Sequence, residues 1–101
     1  MSLKEIKNLI STLGIPVAYD HFTSKKNPPI IAYRELPIDT FMADDYNYSI
    51  FKSYEIELCT IKKDCDLESS LETLFLNNKI PFEKGENWDD TEKMYHIIYT
   101  I

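Results

Sequence analysis

The sequence predicts one α+β domain over 1–101, with two helices packed on a mostly antiparallel mixed sheet of about five or six strands. The predicted order is α-β-β-(β)-β-α-β-β. Three observations carry this reading. Residues 53–62 alternate, with Tyr54, Ile56, Leu58 and Thr60 on one face and Glu55, Glu57, Cys59 and Ile61 on the other, the period of a half-buried antiparallel strand. Two other stretches repeat apolar residues every three or four positions, the period of an amphipathic helix. With 101 residues, 44% of them hydrophobic and 13% aromatic, the chain is long enough for one self-supporting core and too apolar for a disordered tail.

Ser2 opens the first helix, and Ser2-x-x-Glu5 fits a capping box. Leu3, Ile6, Leu9, Ile10 and Leu13 form its apolar stripe. Gly14 suits a left-handed terminator and Pro16 blocks continuation. A first strand over 17–22 and a second over 30–36, joined by the polar stretch 23–29, are expected to pair as an antiparallel hairpin.

Residues 38–51 carry many aromatics without clean periodicity, broken by Asp44, Asp45 and Asn47 as turn residues. A short strand near 40–43 is expected there. Phe41, Met42, Tyr46, Tyr48 and Phe51 read either as a surface patch or as a mini-core folded back on itself.

After the strand at 53–62, Asp64 or Asp66 caps a second helix whose inner stripe is Leu67, Leu71, Leu74, Phe75 and Asn78, with Glu68 and Glu72 outside. A strand over 80–84, a turn at 85–87 and a linker at 88–90 follow. The last strand, over 91–101, is apolar on both faces and is expected to be central or covered twice. Both helices run into Ile-Pro-apolar, at 15–17 and 80–82, a weak echo of two similar helix–strand units.

The net charge of −6 and pI near 4.8 argue against the phosphate-neutralising surface of a nucleic-acid binder. Lys25-Lys26 and Lys62-Lys63 are the basic pairs, and both read as solvated loops. The start has no apolar h-region and no run reaches membrane-spanning length, so a cytoplasmic protein without membrane contact is expected. Cys59 and Cys65 lack zinc-site spacing and read as structural free thiols in a reducing compartment.

No spacing asks for catalysis. A nucleophile–base pair of Cys59 or Cys65 with His21 or His96 requires the fold to bring them together, and a strand histidine is ordinarily a hydrogen-bonded structural group. The acidic clusters Asp44-Asp45, Asp64/Asp66/Glu68 and Asp89-Asp90 read as solvated turns or helix caps, without the calcium-loop pattern. The expectation is no catalytic, metal or cofactor site.

Several stretches in order resemble a known family. They are Leu-Gly-Ile-Pro-Val-Ala-Tyr at 13–19, Pro-Pro-Ile-Ile-Ala-Tyr-Arg at 28–34, Ala-Asp-Asp at 43–45 and Tyr-Glu-Ile-Glu-Leu-Cys-Thr at 54–60. Lys-Lys-Asp at 62–64 follows, then Trp88 with Glu92-Lys93-Met94-Tyr95 and Tyr99. Together they resemble the small tail-completion proteins (tail terminators, head–tail joining and minor tail proteins) of long-tailed phages and prophages. The match covers residues 13–99, and its residues are fold-pattern residues rather than a chemical signature.

The resemblance implies a structural protein without cofactor that forms a hexameric ring on the head-proximal end of the tail tube. Its partners would be copies of itself, the tube protein and a head-closure or connector protein. It would occupy the host cytoplasm during assembly and then the head–tail junction of the virion. A ring requires two different patches per subunit, and Phe41, Met42, Tyr46, Tyr48 and Phe51 are the candidate for one. The alternatives are a head-closure adaptor or other minor tail protein and, from another class, a small acidic inhibitor or immunity-type protein docking on a basic enzyme.

Overall fold

The computed structural model describes residues 1–37 and 53–101. The expected strand near 40–43 and the candidate interface residues Phe41, Met42, Tyr46, Tyr48 and Phe51 lie outside the described residues. The elements are α1 (Leu3–Ser11), β1 (Val17–Tyr19), β2 (Ile30–Glu35), β3 (Tyr54–Thr60), α2 (Cys65–Asn77), β4 (Glu83–Asp89) and β5 (Met94–Thr100). Two helices thus pack on a mixed five-stranded sheet of order β1-β2-β3-β5-β4. No helix among the described residues is long and apolar enough to cross a membrane.

Helix α1 starts where its capping box predicts. The Ser2 hydroxyl accepts from the Glu5 N–H and the Glu5 carboxylate accepts from the Ser2 N–H. It ends with Thr12 as C-cap, and Gly14 turns the chain at φ +78°, a conformation that glycine adopts without a Cβ penalty. Ile6 and Ile10 are fully buried against the sheet.

The alternation of β3 divides as expected. Tyr54, Ile56, Leu58 and Thr60 are all buried, while Glu55 and Glu57 are half-buried on the opposite face. Leu58 lies between Ile31 and Ile97, and Ile56 between Tyr33 and Tyr99, so the helix-facing side of three neighbouring strands is continuous hydrocarbon. Leu71 and Phe75 of α2 close that core. Phe75, Phe82 and Tyr99 form a triangle of rings with centroids 5.5–5.6 Å apart. Strand β5 is central, between β3 and β4, which explains its apolar residues on both faces.

Three expectations are corrected. First, β1 and β2 pair in parallel, Val17 with Ile31 and Tyr19 with Tyr33. The connection at 20–29 is long enough to carry the chain back past a three-residue strand. Arg34 also grips Asp20 at the end of β1, with Nε 3.0 Å from its carboxylate and Nη2 2.8 Å from its carbonyl. Second, Gly85, Glu86 and Asn87 are not a turn, and Trp88 and Asp89 are not linker. All belong to β4, which is paired through to Asp89 opposite Met94. The reversal comes at 90–93, where the Asp89 carboxylate accepts from the N–H groups of Thr91 and Glu92 and Lys93 turns left-handed at φ +57°.

Third, Glu68 is not on the outer face of α2 but is 2% exposed. It stands three residues before Leu71 and seven before Phe75, on their own stripe, while Asn78, at the end of the helix, is its exposed C-cap. The ammonium groups of Lys63 and Lys84 each lie 2.8 Å from the Glu68 carboxylate. Lys84 also reaches Glu72 at 2.7 Å, and Glu72 accepts from the Tyr99 hydroxyl at 2.6 Å. Burial raises the Glu68 carboxyl, but the two lysines outweigh it and hold the group below its ordinary value.

The C-terminus of α2 turns through Lys79 at φ +56°. The N–H of Ile80 bonds the Phe75 carbonyl and that of Lys79 the Leu76 carbonyl, the two bonds of a Schellman motif with lysine where glycine is usual.

Candidate functional site

The helices cover one face of the sheet; the other carries a second cluster of titratable side chains. Alternation places Arg34 on β2, Glu55, Glu57 and Cys59 on β3, His96 on β5 and Asp89 on β4 on this second face. Register then brings them together, Arg34 beside Glu55 and Cys59 beside His96.

Arg34 is the organising cation at one end. Its Nη1 lies 2.5 Å from Glu55 and its Nη2 3.3 Å from Glu57, in addition to its two contacts with Asp20. The carboxyl of Asp20 is held below its usual range by hydrogen bonds first from His21 and then from Arg34. Arg34→Met strands the Glu55 carboxylate and leaves Glu57 with His96 alone, both side chains being three-quarters buried or more. It is expected to cost about 1–3 kcal/mol of stability in urea denaturation. Arg34→Lys should recover only part, because an ammonium cannot reproduce the planar fork.

His96 occupies the other end and is 15% exposed. Its Nδ1 is hydrogen-bonded to the Glu57 carboxylate and is 3.5 Å from Cys59 Sγ. On the far side, its Nε2 faces Asp89 Oδ2 at 3.5 Å and Glu92 Oε1 at 4.0 Å. Cys59, expected on the outer face, is buried there at 6% exposure. An open cleft of about 660 Å³ adjoins this cluster, with Phe22 and Lys26 of the 20–29 connection on one side and Glu57, Cys59, Glu92 and His96 on the other.

The fold therefore joins Cys59 to His96 while leaving His21 on exposed Asp20 and Cys65 exposed at the start of α2. The pair is badly poised for nucleophilic attack. Burial, with Glu57 adding to it, pushes the Cys59 thiol up to about 12, and the thiolate is the reactive form. Asp64 caps α2 by accepting from the Leu67 N–H at 3.0 Å.

The sequence reading missed Glu57, Asp89 and Glu92 as partners of His96. The signal was the spacing Asp89-x-x-Glu92-x-x-x-His96 around a turn, visible only if the turn is set at 90–93.

No protein-family model, no curated protein and no solved structure matches this chain.

Proposed function

We propose that this chain is a structural virion subunit that assembles with copies of itself into a ring at the head-proximal end of a phage tail tube. The ring ends tube growth and joins tail to head. The observation that carries the reading is the ordered run of family-like stretches over residues 13–99. Most of those among the described residues fall on the sheet framework, at the α1–β1 junction, β2, β3 and the β4–β5 hairpin, and residues 62–64 lead from β3 into α2.

Two further features support it. A mixed sheet flanked by helices is compatible with the helix-flanked mixed or antiparallel sheet that the resemblance implies. The two sheet edges are also unlike each other, a three-residue β1 and a seven-residue, largely exposed β4, which suits a subunit that needs two different contact patches.

The test is electron microscopy of particles from a phage lysate in which this gene is deleted. Filled heads without tails, beside free tails of irregular or excess length, are the expected result. Emptied heads beside free tails of normal length would move the protein to head closure. Normal infectious particles would overturn both readings and leave the acidic-inhibitor alternative, whose mark is a tight one-to-one complex with a basic nuclease.

A further inference from the structure

The ring of His96 has carboxylates on both sides, Glu57 at Nδ1 and Asp89 and Glu92 at Nε2. An ionised carboxylate only accepts, so the bond with Glu57 uses the N–H of Nδ1 and turns Nε2 to the far side of the ring. Nε2 faces two more acceptors, the carboxylates of Asp89 and Glu92. Nε2 is closed off from solvent and has no hydrogen-bond partner among the described residues. Two carboxylates converging on a buried ring nitrogen call for a positive charge between them, either a ring proton or a metal ion.

The distances suit a metal ion. Zinc binds imidazole nitrogen at about 2.0–2.1 Å and carboxylate oxygen at about 2.0–2.2 Å, so ligands across a tetrahedral angle stand roughly 3.4 Å apart. Asp89 Oδ2 is already at 3.5 Å from Nε2. Glu92 Oε1, at 4.0 Å on a side chain more than half exposed, needs to move closer by only about 0.6 Å. Asp89 is held for the role, since its other oxygen accepts from the N–H groups of Thr91 and Glu92 and leaves Oδ2 free. Glu57 behind Nδ1 completes the carboxylate–histidine–metal arrangement that fixes a ligating ring.

We infer that Asp89, Glu92 and His96 form a binding site for a zinc-like transition dication, with Glu57 orienting the histidine and a coordination position left open to solvent. The ion draws ligands from the end of β4, the turn and β5, so it staples the β4–β5 hairpin. Cys59 is on the Nδ1 side, opposite the ion, and is not a ligand. The site does not depend on the proposed virion role.

Untagged, chelator-treated protein titrated with zinc chloride near neutral pH in a calorimeter should bind one ion per chain, with a higher melting temperature in its presence. Cobalt(II) should give a d–d spectrum without a thiolate charge-transfer band, and Cys59→Ser should leave it unchanged. Glu92→Gln, an exposed change that spares the fold, should weaken zinc binding about tenfold or more, and Glu57→Gln by about 10–100-fold. His21→Gln should change nothing. Absence of saturable zinc binding would overturn the inference and leave His96 an imidazolium bonded to Asp89. Unaltered binding in both Glu92→Gln and His96→Gln would also overturn it, placing the ion elsewhere.

Discussion

Leu58→Asp is expected to abolish cooperative folding. Leu58 is fully buried in β3 between Ile31 and Ile97. Removing the side chain forfeits roughly 2–3 kcal/mol of burial. Placing a carboxyl in the same hydrocarbon costs several kcal/mol more, whether as a desolvated charge or as a protonated acid without a partner. The sum is comparable with the whole stability of a small domain, about 5–15 kcal/mol. Circular dichroism should show no cooperative melt, and Ile56→Asp, between Tyr33 and Tyr99, should behave alike. A soluble variant melting cooperatively near the parent temperature would mean that the inner face of β3 is wrongly identified.

Glu68→Ala comes second. It takes away the one carboxylate that both Lys63 and Lys84 approach at 2.8 Å. Breaking a fully buried pair costs about 3–5 kcal/mol, chiefly through the charge left behind. Here the lysine side chains are 38% and 35% exposed, and their ammonium groups can rehydrate, so about 2–4 kcal/mol in urea denaturation is expected. Combining it with Lys84→Met should cost less than the sum of the two single changes, since one stranded charge is removed.

The same cluster sets an acid limit. The folded-state values of Glu68 and Glu72 lie below the ordinary 4.5, because lysine and tyrosine hydrogen bonds outweigh burial. A carboxyl depressed by folding contributes stability that is present above 4.5 and is lost as pH falls through the folded value. The urea midpoint of the parent protein should therefore drop as pH falls below about 4.5, and that of Glu68→Ala should drop less steeply. An equal slope in both would remove Glu68 from the account.

What was legible in the sequence followed from local rules. The capping box at Ser2, the alternation of β3 and the two-faced apolar character of β5 each depend on a few consecutive residues. What was not legible depended on partners far along the chain. The parallel pairing of β1 is accompanied by Arg34 gripping Asp20, fourteen positions earlier. Glu68 stood at core spacing, and its charge disguised it until Lys63 and Lys84 were seen to meet it. Gly85 and Asn87 have turn composition, yet they lie in an edge strand where a Cβ on Gly85 would meet nothing within 4 Å. Setting the turn there separated Asp89 from His96 and hid the cluster on the second face.

The position of β5 also bears on how the molecule reaches its native state. Its contact with β4 closes across residues 90–93, a local event on the microsecond scale of hairpins. Its contact with β3 pairs Thr60 with Tyr95 and Glu55 with Thr100 and must first close the long loop that contains α2, at an entropic cost. Docking of the finished hairpin is thus the slow step expected of a non-local pairing. Until it occurs, β3 is an open edge carrying Tyr54, Ile56 and Leu58, and a concentrated refolding chain is most exposed to intermolecular strand pairing along that edge.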